Sequence, residues 1–153
     1  MKIYVFLLCV SLGYLTPKKF IWNYYPNGKV MSGGWMLLEK KVDFWRFYYQ
    51  NGNKKSEGNY KDDKKNGYWY YYNLNGILIK EGHYKNDVPE MWWKYYKKYT
   101  HEKCKFQNDG KTRFCLIYSK NKIIKGSKYI NDTFVKEWTS INRFKKDNPN
   151  FTF

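Results

Sequence analysis

Side chains able to perform nucleophilic or metal chemistry are few in this chain. It has two histidines, His83 and His101, and three cysteines among 153 residues. His101-x-x-Cys104, with Cys115 further on, is the nearest approach to a zinc site. A tetrahedral zinc site needs a fourth ligand and usually draws on two closely spaced pairs. A cysteine–histidine nucleophile needs a thiol that is not held in a disulfide. We therefore predict neither a metal site nor a catalytic cysteine.

The two later cysteines are placed to bond with each other. Asp109-Gly110, a pair typical of the type I′ turn of a β-hairpin, lies midway between Cys104 and Cys115. Folding about this turn sets the cysteines opposite one another on antiparallel strands, at a Cα separation of about 4.5 to 5.5 Å that a disulfide can bridge. We predict a Cys104–Cys115 disulfide.

The carboxylates stand in turns or at equivalent positions of a repeat, and they form no cluster in the sequence. Asp62-Asp63 occupies a polar turn, while Glu57 and Glu81 take equivalent positions 24 residues apart, each before a glycine. That recurrence indicates a structural role, because catalytic acids rarely repeat with the folding unit. No glycine pattern matches a nucleotide-binding fingerprint. We predict a protein that is not an enzyme and has no cofactor.

The elements that must position these side chains come from a repeat of 24 residues. Six residues recur at this spacing, in the pairs Trp45/Trp69, Tyr48/Tyr72, Asn51/Asn75, Gly52/Gly76, Gly58/Gly82 and Tyr60/Tyr84. The period extends back to Asn27-Gly28 and Gly34 and forward to Trp93, and it is lost at Thr100. An array of this kind buries its apolar faces by stacking neighbouring units.

Each unit has the pattern of a β-hairpin. Trp45 to Tyr49 is an aromatic run of high strand propensity, and Asn51-Gly52 favours a type I′ turn. The returning strand leads into a polar turn over residues 61–67, after which the next strand begins at Tyr68. We predict an all-β fold, an antiparallel meander of stacked hairpins in a single-layered sheet. Its expected turns are Asn27-Gly28, Asn51-Gly52, Asn75-Gly76 and Asp109-Gly110.

Alternation along the strands separates two sets of aromatic side chains. Successive side chains point to opposite faces of a sheet, so Trp45 and Phe47 share one face while Arg46 and Tyr48 share the other. Recurrence in register makes a structural ladder of Trp45, Trp69 and Trp93. The rings expected on the opposite face, Tyr48, Tyr70 and Tyr72, form the candidate binding face, because tyrosine is favoured at protein interfaces.

The unit resembles the variant MORN repeats of bacteria, whose pattern is roughly Gly-x-Trp-x-x-Tyr-Tyr-x-x-Asn-Gly with a later Gly-x-Tyr. Gly67-Tyr68-Trp69 carries the start of the pattern in full, whereas Asp43-Phe44-Trp45 lacks the leading glycine. The match is close over residues 43–99 and looser over 20–42. Many members of that family are regarded as antitoxin-like by analogy. The resemblance implies stacked hairpins and a binding scaffold, with a toxin-like protein as the suggested kind of partner.

The sequence predicts four segments. Residues 1–15 carry the basic start and short apolar run of a secretory signal peptide, which would export the protein to the periplasm, surface or surroundings of a bacterium. A buried first strand in a cytoplasmic protein is the alternative. Residues 20–99 form the repeat array, residues 100–141 hold degraded repeats with an inserted hairpin, and residues 142–153 form a polar tail that frays.

The net charge of +16 is unevenly distributed. Residues 17–93 hold 13 lysines and arginines against 8 acids, a net +5, whereas residues 94–153 hold 15 against 5, a net +10. Such a field attracts acidic proteins, anionic envelope or membrane surfaces and nucleic acids. Only three of the cations are arginines, which leaves poor means for bidentate base readout, so we do not expect nucleic acid.

Two functions from different classes remain. The main prediction is a non-enzymatic scaffold that binds an acidic or toxin-like protein, as an antitoxin or immunity-type member of the family would. The alternative is a cationic cell-envelope or membrane-surface module. The oligomeric state is left open by the sequence.

Overall fold

The computed structural model describes residues 17–152, so the predicted signal peptide lies outside the described residues. This part of the chain forms eleven strands and one short helix. The strands are β1 (Lys19–Tyr24), β2 (Val30–Leu37), β3 (Lys40–Tyr48), β4 (Lys54–Lys61), β5 (Lys64–Tyr72), β6 (Leu78–Lys85), β7 (Val88–Tyr96), β8 (His101–Phe106), β9 (Thr112–Ser119), β10 (Lys122–Ile130) and β11 (Thr133–Trp138), and the helix is α1 (Ile141–Asp147).

All eleven strands belong to one antiparallel sheet in which spatial order follows chain order. The predicted all-β meander is therefore confirmed. Each strand pairs only with its neighbours in sequence, so the sheet is built from hairpins laid side by side. Among residues 17–152, no helix has the length and apolar character needed to cross a membrane.

Two kinds of turn alternate along the meander from β1 to β7. The four glycine turns form where they were predicted, but the type I′ assignment was wrong, because only the glycine of each pair has a positive φ. At Asn51-Gly52, the amide of Gly52 donates to the Tyr49 carbonyl and the amide of Tyr49 donates to the Asn53 carbonyl. That pattern is a type I turn closed by a glycine bulge.

Type I′ geometry occurs instead in the turns of two residues, which lie opposite the glycine turns between β1 and β7 and at both ends of the sheet beyond β8. Both residues have positive φ in the two-residue turns Leu38-Glu39, Asp62-Asp63, Asn86-Asp87, Lys120-Asn121 and Asn131-Asp132. Because the turn at Asp62-Asp63 takes only two residues, the next strand begins at Lys64 and not at Tyr68 as predicted.

The sheet continues through residues 100–138 and ends under a helix. The prediction of a fraying polar tail over residues 142–153 is wrong for residues 142–147, which belong to α1. The Ser140 side chain caps the start of this helix by accepting a hydrogen bond from the Arg143 amide. Phe144 of this helix is fully buried against Leu116 and Trp138. It covers Gly126, where an added Cβ would lie 2.6 Å from the ring. The helix forms because the last strands leave an apolar surface that Phe144 can cover.

Candidate binding surfaces

The ladder face, defined by Trp45, Trp69 and Trp93, is built from tryptophan–glycine pairs. Each of these buried tryptophans lies opposite a glycine of the preceding strand, in the pairs Gly34/Trp45, Gly58/Trp69 and Gly82/Trp93. A Cβ added to any of these glycines would fall 2.2 to 2.4 Å from the indole. The Trp69 Nε1 donates to the Asn59 carbonyl at 3.0 Å, which satisfies the only donor of the buried ring. Each tryptophan therefore requires a glycine opposite it, because any larger residue would clash with the ring.

Contacts between neighbouring units recur with the same period. The Asp63 carboxylate accepts from the Lys41 amide at 2.9 Å, and the Asp87 carboxylate accepts from the Lys65 amide at 2.8 Å. The hydroxyl of Tyr25 donates to the Tyr48 carbonyl, and that of Tyr49 donates to the Tyr72 carbonyl. Each unit is thus tied to the next at both of its turns.

A disulfide continues the ladder beyond Trp93. Cys104 pairs in register with Trp93 on one side and with Cys115 on the other. The two cysteines are joined by a disulfide, and both are completely buried in one apolar cluster with Trp93. The bond therefore belongs to the core of the sheet.

The tyrosine face is the opposite face, defined by Tyr70, Tyr72 and Tyr96. Tyr72 donates to Glu57 at 2.8 Å, and Tyr96 donates to Glu81 at 2.7 Å. Burial and then the bond to Glu57 raise the pKa of Tyr72 to about 12. Tyr70, by contrast, is exposed between the strands that carry the two glutamates. The structure therefore gives Tyr72 an internal partner and leaves Tyr70 accessible.

Glu57 is a charged anchor of the tyrosine face. Its side chain is mostly buried and accepts from Arg46 at 3.2 Å, Lys54 at 2.7 Å and Tyr72 at 2.8 Å. Burial acts to raise the pKa of this carboxyl, but the three hydrogen bonds outweigh it and hold the pKa below its usual value. An ionised carboxylate with three donors is suited to holding strands together.

Tyr48 occupies the corresponding place one unit before Tyr72, in a different environment. Gly33 stands 24 residues before Glu57, so no carboxylate is available there. The ring of Trp22 lies on that glycine, 2.4 Å from where a Cβ would be. Trp22 and Tyr48 together line a cavity of about 490 Å³. The three predicted tyrosines therefore do not share one environment.

Sequence reasoning missed an exposed group of rings at the first strand. This N-terminal aromatic patch consists of Phe20, Trp22, Tyr24, Trp35 and Phe44, which are 38 to 56% exposed. The ring of Phe20 is centred 5.1 Å from that of Trp22 and 5.3 Å from that of Trp35. The available signal was the alternation of rings in β1, which was overlooked because Ile21 stands where the repeat has tryptophan.

The reactive side chains serve packing. His101 stacks on Tyr118 with ring centres 4.8 Å apart, and His83 meets Tyr68 edge-on at 4.9 Å. Within the described range, the group of possible metal ligands that lie together is Glu102, Cys104 and Cys115. Both of its sulfur atoms are taken by the disulfide. The arrangement offers binding surfaces more readily than a reaction centre.

The repeat geometry agrees with a comparison against protein families. The model described as MORN repeat variant matches residues 45–62 and 65–86. These two segments are similar to variant MORN repeats. The Gly58/Trp69 contact therefore joins the two matched segments, and the same geometry recurs at their borders in Gly34/Trp45 and Gly82/Trp93. No curated protein matches the chain.

Proposed function

We propose that this MORN-repeat protein is a non-enzymatic scaffold that binds an acidic protein through its tyrosine face. The observation that carries the proposal is the exposure of Tyr70 at the centre of that face, on a frame fixed by the Glu57 and Glu81 bonds. A rigid aromatic ring with a polar end gives contact area at little cost in conformational entropy, which suits a protein interface.

Charge supports an acidic partner. The chain carries +16, and several lysines lie against rings of the sheet, including Lys54 at 5.0 Å from the centre of Tyr72. Such a surface attracts an acidic protein at a rate that falls as salt rises. A toxin-like protein neutralised by this scaffold is the partner that the variant MORN resemblance suggests, and we propose that the two proteins meet outside the cytoplasm.

A photo-crosslinking residue at position 70 tests this proposal. We expect it to capture an acidic protein in the native host, whereas the same probe at exposed Tyr99, outside the tyrosine face, captures none. With the purified pair, Tyr70→Ala should weaken binding by at least about 2 kcal/mol, a hot-spot magnitude, and Tyr99→Ala should leave binding unchanged. Equal capture at both positions would refute the assignment of this face.

The second candidate is a cationic membrane-surface or envelope module. The excess of 15 lysines and arginines over 5 acids in residues 94–153 supports it. It predicts binding to anionic vesicles that falls steeply with salt and that is lost when lysines of this segment are replaced by glutamine. Tyr70→Ala should leave vesicle binding intact, which separates the two candidates.

A further inference from the structure

We propose that the ladder face contains a binding site for a phosphomonoester carried on a sugar or aromatic ring. The site is a cavity of about 370 Å³ beside β6 and β7. Its walls include Lys80, Tyr84, Pro89, Trp93, Tyr95 and Lys111. It lies on the opposite face of the sheet from Tyr70 and is independent of the proposed protein partner.

The same cavity occurs one unit earlier, where a lysine of the chain covers its rings. Ser56, Tyr60, Lys65, Trp69 and Tyr71 stand 24 residues before Lys80, Tyr84, Pro89, Trp93 and Tyr95, and all five line a cavity of about 260 Å³. The Lys65 Nζ lies 4.9 Å from the centre of the Trp69 ring and 3.0 Å from the Tyr71 hydroxyl. Lys41 covers Trp45 in the same way at 5.5 Å.

The third unit differs from this pattern at two positions. Pro89 replaces the covering lysine, and its short side chain leaves the larger cavity over Trp93 and Tyr95. Lys80 replaces the buried serines Ser32 and Ser56 of the earlier units. Because serine fills this position in two units, the fold itself does not require a lysine there.

The environment of Lys80 is unfavourable for a charged side chain. Its Nζ lies 4.7 Å from the centre of the Tyr71 ring and 5.8 Å from that of Trp93, and no carboxylate of residues 17–152 forms an ion pair with it. Burial lowers the pKa of this ammonium group. The Asp132 carboxylate acts on this group in the opposite direction, without a direct ion pair. A partly desolvated cation without a directly bonded carboxylate is unfavourable, and an incoming anion would stabilise it.

Charge and shape select the ligand class. The lining holds Lys80 and Lys111 against one carboxylate, Asp132, and Asp132 is paired with Arg113, which lies against the Tyr95 ring outside the lining. This excess of positive charge favours an anion, and a phosphomonoester carries about −1.5 to −2 at pH 7. The partly buried rings of Tyr84, Tyr95 and Phe106, which line the cavity above the buried Trp93, offer apolar surface against which a flat ring can pack.

Titration with small probes tests the ligand class. Phenyl phosphate and glucose 6-phosphate represent the two ring types, inorganic phosphate lacks a ring, and choline carries the opposite charge. We expect at least one ring phosphate to bind saturably and at least tenfold more tightly than inorganic phosphate, and the tighter of the two identifies the ring. Equal affinity for inorganic phosphate, or preferential binding of choline, would overturn the proposal.

Two substitutions test the location. Lys80→Ser installs the residue of the earlier units, so we expect at least tenfold weaker binding with an unchanged or higher melting temperature. Pro89→Lys restores the covering lysine and should likewise weaken binding at least tenfold. The matched control is Lys85→Ser, which changes an exposed lysine of the same strand and should keep the affinity. Unchanged binding in Lys80→Ser would show that the ligand sits elsewhere. Tyr70→Ala, which tests the proposed protein partner, should leave the binding of the ring phosphate unchanged.

Discussion

At the scale of single residues, the units depend on a tryptophan that lies flat on a glycine. Trp69 is fully buried between strands, and its neighbour Tyr70 is exposed on the other face. We expect Trp69→Ala to lower the free energy of unfolding by roughly 3 to 5 kcal/mol, the range for deleting a large buried ring. Tyr70→Ala, measured in the same urea titration, should cost far less. Similar losses in both variants would contradict the assignment of the two faces.

The pairing of Gly58 with Trp69 gives a sharper prediction. An added Cβ at residue 58 would lie 2.4 Å from the indole, so Gly58→Ala should destabilise the protein by about 1 to 3 kcal/mol through overpacking. Once the ring is removed, the same methyl group meets no obstacle. In a double-mutant cycle, Gly58→Ala should therefore cost much less in the Trp69→Ala background than alone. Additive costs would mean that the close contact is not what makes glycine necessary.

Glu57 predicts a pH dependence of stability. Its pKa lies below the ordinary value in the folded protein, so its contribution is present above about pH 4.3, the usual glutamate pKa, and is lost as pH falls through the folded pKa. The stability difference between the wild type and Glu57→Gln should thus be large at pH 7 and shrink in acid. Glu39→Gln, at an exposed carboxylate, is the control and should show little pH dependence.

At the scale of elements, α1 closes the end of the sheet. Phe144→Ala should expose Leu116 and Trp138 and destabilise β9 to β11 by about 3 to 5 kcal/mol. Units of a repeat array contact only their neighbours, so amide exchange should rise in these strands and stay slow in residues 45–86. Lys146→Ala, an exposed change in the same helix, should leave exchange unaltered. Uniformly faster exchange would indicate that the sheet unfolds as one unit.

The disulfide joins β8 to β9 and should stabilise the same end. Cys104 and Cys115 are 11 residues apart, and a loop of this length corresponds to about 2 to 3 kcal/mol in the chain-entropy model. We expect replacement of both cysteines by serine to lower the free energy of unfolding by about this amount, and the melting temperature with it. The measurement is calorimetry of both proteins, with the wild type in oxidised and reduced form. No difference between those two forms would refute the stabilising role.

Sequence reasoning predicted the strands and the tryptophan ladder, but not the turn types or the helix. The spacing of Trp45, Trp69 and their glycines is a long, regular signal, so it predicted the meander. The turn types were wrong because Asn-Gly is compatible both with type I′ geometry and with a type I turn followed by a glycine bulge. Helix α1 was missed because its burial rests on Phe144 and on an apolar surface that exists only once β9 to β11 have assembled.

The binding surfaces were harder to predict than the fold. Alternation placed Tyr70 and Tyr72 on one face, but it gave no sign that Glu57 engages the Tyr72 hydroxyl. The cavity beside Lys80 becomes visible only when its walls are aligned with those of the preceding unit. Such differences depend on side-chain geometry, whereas periodicity reports what the units have in common.

At the scale of the whole molecule, each unit contacts only the next one, and this allows the sheet to lengthen by gene duplication. A duplication of 24 codons would supply a complete strand pair with its own tryptophan, glycine and turn carboxylate. The sheet would lengthen by roughly 9 to 10 Å, two strand spacings, while the older units kept their neighbours. The gene could therefore change the length of the sheet in whole units, and a unit so added could then acquire residues of its own, as Lys80 and Pro89 distinguish the third unit from the second.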